Sequence, residues 1–455
     1  MMRRLLLPAC LVLSACMPGG PSETATRAAQ FTESALPPMK TFSSPRPTPP
    51  VQSNADVARD FLDLAFMLES GRRLPYFSRF EGPISVRVTG SPPAHLGLDL
   101  NRLLTRLRTE AGIDIRQTSN ANANITIQAV PRADIRRNLP QAACFVVPNI
   151  SRLSEYRKAR RSPRTDWGQL RVREKLAIFL PADASPQEVR DCLHEELAQA
   201  LGPLNDLYRL QDSVFNDDNV HTVLTGYDMM ILRVYYAPEL RAGMSQRDVA
   251  ERLPAILARI NPGGQNLSPR RAEATPRAWV QAIQTALGPG AGPIERRRAA
   301  AEALDIARRM GWSDHRMAFA HYAMGRLTQR VDDSVAQEHF LAADHYYSLT
   351  PHTELHRAYV ASQLAAYALV QGRGQDALAL VTKHLGTAAR HENAALLATL
   401  LMLRAEALDY LGRTAEAASV RVDSLGWARY GFGADWAVRA KLREVAALNP
   451  GKGRS

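Results

Sequence analysis

Residues 195–202 read Glu195-Glu196-Leu197-Ala198-Gln199-Ala200-Leu201-Gly202. The run sits inside a helix that the sequence marks at both ends. Ser185-Pro186-Gln187-Glu188 offers a serine cap, a proline at the first helical position and an acid in the first turn. Gly202-Pro203 stops it. At 100° per residue, Val189, Leu193 and Ala200 share one face, and Glu196 falls in its middle. Cys192 and Gln199 flank Glu196, with Glu195 further round. A carboxylate in an apolar stripe is costly unless it is paired or functional. Glu196 is therefore the residue to test for chemistry, with Arg233 as a candidate structural partner. His194 points away from this face and is expected at a surface or edge.

Working outward, residues 53–262 read as a mixed α/β domain. Val57, Phe61, Leu64 and Leu68 recur at helical spacing, as do Leu96, Leu100, Leu103, Leu104 and Leu107. Ile84–Val88 and Asn124–Val130 alternate as half-buried strands do, with Ile125 and Ile127 on one side. Cys144–Val147 and Leu176–Leu180 are further short apolar runs. After the helix come Ser213-Val214-Phe215-Asn216, then Leu224-Thr225-Gly226-Tyr227-Asp228 leading into Met229–Tyr236.

The order of strands, helix, turn and closing helix over about residues 80–242 resembles a metzincin zinc protease. A metzincin helix runs His-Glu-x-x-His-x-x-Gly-x-x-His. On that frame Glu195 replaces the first histidine, Gln199 the second and Asn205 the third. Glu196 takes the general-base position and Gly202 the helix end. Phe215 takes the place of the Met-turn methionine, and Thr225 with Asp228 supplies a helix cap. The same Glu-Glu-x-x-Gln-x-x-Gly helix, Ser-x-Phe-Asn turn and Thr-x-x-Asp helix are similar to an uncharacterised family of proteobacterial lipoproteins. Zinc needs three good N, S or O ligands and an open position. One carboxylate and two amides are a poor set, so no metal and no cofactor are expected.

Residues 263–276 form a polar linker, and residues 277–455 read as helical throughout. Gln371-Gly372-Arg373-Gly374-Gln375-Asp376-Ala377 recurs 40 residues later as Leu411-Gly412-Arg413-Thr414-Ala415-Glu416-Ala417. Each follows an Ala-rich helix carrying a tyrosine, Tyr367 or Tyr410. This resembles tetratricopeptide-type hairpins, which implies a groove for a peptide or protein partner. The expected fold is thus an α+β zincin-like domain followed by an all-α helical-repeat domain.

The amino terminus reads as export. Arg3 and Arg4 precede an apolar stretch too short to span a bilayer, ending Leu13-Ser14-Ala15-Cys16. This resembles a bacterial lipobox, which implies a signal peptide at 1–15, lipidation of Cys16 and an envelope location on the periplasmic side. Met17 rather than an aspartate favours the outer membrane. Residues 16–52 hold eight prolines and read as an extended tether. With Cys10 removed and Cys16 lipidated, Cys144 and Cys192 remain to pair as a disulfide in an oxidising compartment. The net charge of +12 falls to +10 without residues 1–15. It suits acidic neighbours such as phospholipid head groups, and nucleic acid is not expected there. The arginines look scattered along the sequence. The expected function is an anchored lipoprotein with a catalytically degenerate zincin-like domain and a partner-binding helical domain. The alternative is a hydrolase of envelope peptide or glycan with Glu196 as general base.

Overall fold

The structure, a computed structural model, describes residues 36–43, 48–270 and 274–452. Cys16, the 1–15 segment and most of the expected tether lie outside them. No helix among the described residues is long and apolar enough to cross a membrane.

The first part of the chain builds a five-stranded sheet. In order it runs α1 (Asn54–Ala65), β1 (Ile84–Gly90), α2 (Leu96–Glu110), β2 (Ile115–Gln117), β3 (Ile125–Val130), α3 (Arg132–Asn138), β4 (Phe145–Pro148), α4 (Leu153–Ala159), β5 (Leu176–Pro181), α5 (Pro186–Leu201), α6 (Gly226–Tyr235) and α7 (Gln246–Ile260). The sheet order is β2-β1-β3-β5-β4. All neighbours are parallel except β4, which closes one edge antiparallel to β5, with Val147 opposite Ala177. β5 is buried along its whole length, as befits a central strand covered on both faces.

The pleat divides two cores. Ile125, Ile127, Leu176, Ile178 and Leu180 face the larger one, which also holds Leu100, Leu103, Val189, Leu193 and Leu197 from α2 and α5. Ala177 and Phe179 face the other way, onto Ile135 of α3 and Leu153 of α4. The alternation seen in the sequence is this division.

Both ends of α5 are secured. Ser185 accepts from the Glu188 N–H, as its position predicts. At the other end the last carbonyls are all taken. Arg173, only 2% exposed, donates to Gln199 O, Ala200 O (2.9 Å) and Gly202 O (2.6 Å). Tyr236 donates to Leu201 O at 2.9 Å, and the Gly202 N–H returns to Ala198 O. The guanidinium also answers the negative end of the helix dipole. Gly202 is required by packing: a Cβ there would lie 2.8 Å from the Tyr235 ring. The Cys144–Cys192 disulfide ties the residue before β4 to the middle of α5.

Nine helices follow among the described residues: α8 (Arg277–Leu287), α9 (Pro293–Arg309), α10 (His315–Thr328), α11 (Asp333–Ser348), α12 (Glu354–Val370), α13 (Gly374–Arg390), α14 (Ala394–Tyr410), α15 (Thr414–Phe432) and α16 (Asp435–Ala446). The 40-residue echo is structural. α12–α13 and α14–α15 are successive hairpins, and Gly372 and Gly412 both take the left-handed conformation at their turns, with φ of 72° and 77°. Stacking contacts recur along the array, Gln329 to Gln363, Gln371 to Gln337 and Asn393 to Tyr359.

The helices pack against the α/β part, with α15 on α5. Gln187 of α5 pairs with Asn393 and receives the Ala395 N–H. Arg190 donates to the Glu392 carbonyl at 2.6 Å and pairs with its carboxylate at 3.2 Å. Tyr430 donates to Asp99 of α2. One part of the expected tether behaves differently from an extended chain that buries nothing. Leu36 and Phe42 are 8% exposed; Phe42 stacks on Trp427, and the Lys40 N–H donates to Gly426 O. Two apolar side chains spaced six apart are enough to seat this stretch on α15.

Replacing Arg173 with methionine keeps its bulk and removes three hydrogen bonds from the end of α5. We expect a loss of about 2–4 kcal/mol in unfolding free energy. Urea titration checks this, and an unchanged midpoint contradicts the capping role.

Candidate functional site

α5 presents a group of carboxyls with little to neutralise them. Glu196 is 5% exposed, and its Oε2 is buried without a hydrogen-bond partner. Arg233, the candidate partner, is exposed on α6 and makes no ion pair with it. The exposure of Arg233 has a simple cause. α6 turns Tyr227, Met230 and Ile231 inward, and position 233 falls on the outer side. The neighbours of Glu196 are instead Glu195 and Glu69, which repel its charge. Burial first, and these acids second, push the Glu196 carboxyl well above its ordinary 4.5. Glu195 is half-buried and rises to about 8, through burial and then Glu69 and Asp217. Asp206 is raised well above its ordinary value by the same two causes, and its Oδ1 is also unpartnered.

Glu69 stands at the solvent rim, raised by burial and Asp217 and drawn back by a carboxyl–carboxyl hydrogen bond to Asp206. Asp217 accepts from Tyr208 at 2.8 Å, and burial raises it. Glu69, Tyr208, Asp217 and Asp218 line a cleft of about 900 Å³, with Gln284, Glu295 and Phe319 opposite them on α8, α9 and α10. With its carboxyl raised to about 8, Glu195 holds its proton at neutral pH. It can therefore donate as well as accept hydrogen bonds.

The other motif positions play structural parts. Gln199 is buried and lends its carbonyl to Arg173. Asn205 turns away and donates to Asp63 O of α1 at 3.1 Å, which pins the loop after α5. Phe215 is fully buried in the main core. Its turn is locked by Asp228, which accepts from Ser213, the Val214 N–H and the Thr225 N–H. Thr225 and Asp228 form the expected capping box on α6. Burial lifts Asp228 to about 6 against those hydrogen bonds. Among the described residues no group of three or more His, Cys, Asp or Glu is arranged to hold a metal ion.

His194, expected at a surface or edge, is 5% exposed, and its Nδ1 accepts the Leu224 N–H at 3.1 Å. The helix angle was right, but the 203–224 loop folds back over that side. Sequence reasoning also missed a histidine cluster. His221 donates from Nε2 to Gln211 O at 3.1 Å and meets His356 and His391, with ring centroids 5.8 and 5.4 Å away. His356 Nε2 reaches Asp218 Oδ2 at 2.8 Å. These partners lie more than a hundred residues apart, and no sequence spacing signals them. Burial holds His221 and His391 down to about 4.

Residues 54–255 match the DUF2927 family model, described as protein of unknown function. The DUF2927 domain thus spans α1 to most of α7, including the carboxyl group on α5 and the turn at Phe215. No curated protein and no solved structure matches the chain.

The raised and lowered groups set the pH response of the domain. Between the ordinary 4.5 and about 8, native Glu195 holds a proton that the unfolded chain has lost. Stability therefore falls as pH rises through that window. Between the ordinary 6.5 and about 4, unfolded histidines bind protons that native His221 and His391 refuse. Stability also falls as pH drops there. Melting curves across pH should peak in mildly acidic solution. Glu195→Gln should flatten the alkaline limb and melt several degrees above the parent at about pH 8. Parallel curves for the two proteins would contradict this.

Proposed function

We propose that this chain is an envelope-anchored lipoprotein whose DUF2927 domain is a zincin-like fold that has lost zinc catalysis and now binds a neutral polar segment, peptide or glycan. The observation that carries the reading is the buried, unpartnered Glu196 Oε2 beside Glu195 and Asp206. Where a zinc helix offers two imidazoles, α5 offers Glu195 and Gln199. Carboxyls that keep their protons are neutral and attract a cation less than carboxylates do. They suit amide and hydroxyl groups, which both give and take hydrogen bonds. The order of sheet, α5, locked Phe215 turn and capped α6 supports the zincin-like reading.

The alternative, hydrolysis with Glu196 as general base, requires an ionised Glu196. Its raised proton affinity weighs against that role. The helical repeats support a partner-binding role of tetratricopeptide type through their outer surface. Ile294, Val331, Leu341, Val422 and Trp436 are large apolar side chains more than half exposed there.

Two measurements separate the readings. The purified protein should carry no stoichiometric zinc after dialysis, and a retained equivalent would overturn the proposal. Glu196→Gln copies a protonated carboxyl, so it should leave the melting temperature at neutral pH within a few degrees of the parent. It should also leave binding of peptidoglycan fragments or peptides unchanged. Turnover of such fragments by the parent, abolished in Glu196→Gln, would establish the hydrolase instead.

A further inference from the structure

The arginines that look scattered in the sequence are gathered by the fold. Of the 24 residues 152–175, nine are Arg or Lys and three are Asp or Glu. They run through α4, which packs on the sheet face away from α2 and α5, and through the loop that leads to β5; Arg173, buried at the end of α5, is the one of the nine that turns inward. α15 docks on α5, which packs on the other face of the sheet from α4.

Neighbouring segments extend the face. Arg137 of α3 and Arg157 of α4 meet at one acid, Asp134, which joins the two helices. The loop at Arg72 reaches across to Asp166. Arg171 stacks on Tyr76 with its guanidinium 4.0 Å from the ring centre. Asp134, Glu155 and Asp166 are thus spent holding α3, α4 and the loops together, while Glu174 has no ion pair among the described residues. Arg136, Arg152, Lys158, Arg160 and Arg161 remain exposed and carry no ion pair. Between Arg72, Arg160 and Arg161 lies a shallow cleft of about 490 Å³ that also presents Ser162, Thr165 and Trp167. Val172, 40% exposed, stands beside it in sequence.

We propose that this face docks on an anionic lipid bilayer. A sheet of phosphates asks for a broad cationic field and makes little demand on shape, which is what two short helices and two loops supply. Guanidiniums and hydroxyls around one cleft fit a phosphate head group, since both donate to its oxygens. Trp167 and Tyr76 are amphipathic rings of the kind that settle at a membrane interface. With α4 against the lipid, α15 sits on α5 on the other face of the sheet. The proposal does not depend on lipidation of Cys16.

The test uses the full chain carrying Cys16→Ser, so that no acyl group contributes. It should sediment with phosphatidylcholine vesicles that contain phosphatidylglycerol and stay in solution with phosphatidylcholine alone. Binding should weaken as salt is raised. A variant with Arg136→Ala, Lys158→Ala, Arg160→Ala and Arg161→Ala should bind about a hundredfold less tightly. A control removing four exposed arginines of the helical region, Arg298→Ala, Arg309→Ala, Arg439→Ala and Arg443→Ala, should bind nearly as the parent does. Melting curves verify that both variants fold. Equal binding by the patch variant and the parent overturns the proposal, as does an equal loss in the control. Retention on double-stranded DNA without binding to the vesicles also overturns it.

Discussion

The placement of α5 rests on one buried cation. Arg173 reaches under the sheet edge and takes three carbonyls at the end of that helix. A charge this deeply buried is tolerated only because dipoles surround it. The Trp167 ring adds a face 5.3 Å away. The arrangement is linked to a second one. The Arg173 N–H donates to Arg79 O, and the Arg79 side chain donates to Tyr235 O at the end of α6 and to Ala237 O just beyond it. Two helix ends are thus held by two arginines on neighbouring segments.

α5 also stands between the two parts of the chain. One side packs on β4 and β5 and is stapled by Cys144–Cys192. Another meets α15 and the turn at Glu392. A helix so enclosed gives its polar residues few routes to water. That enclosure, rather than any special chemistry of the side chains, raises Glu195 and Glu196. The helical repeats therefore act first within the chain, closing the cleft over Tyr208 and Asp217. His221, His356 and Asp218 weld the same junction.

Much of this was legible before the fold was known. The capped start of α5, its stop at Gly202, the alternation of β1 and β3 and the Thr225–Asp228 box are local signals set by neighbours in sequence. So is the 40-residue echo of the hairpin turns. The disulfide followed from counting. What escaped is non-local. The anomaly of Glu196 was visible as an angle on a wheel, but its neighbours Glu69 and Asp206 come from other segments. His194 was misjudged because a wheel cannot see a loop folding over it. β2 is only three residues long and carries no periodicity. The basic face was invisible because α3, α4 and the Arg72 loop are brought together only by the sheet.

The central claim is that burial raises the proton affinity of the two neighbouring carboxyls on α5, Glu195 and Glu196. Its most direct test is carbon-detected NMR of the glutamate side-chain carboxyls across pH, with Glu195 and Glu196 assigned through single Gln substitutions. The account predicts that Glu195 titrates with a midpoint near 8 and that Glu196 titrates well above its ordinary 4.5. Ordinary midpoints near 4.5 for both would contradict it.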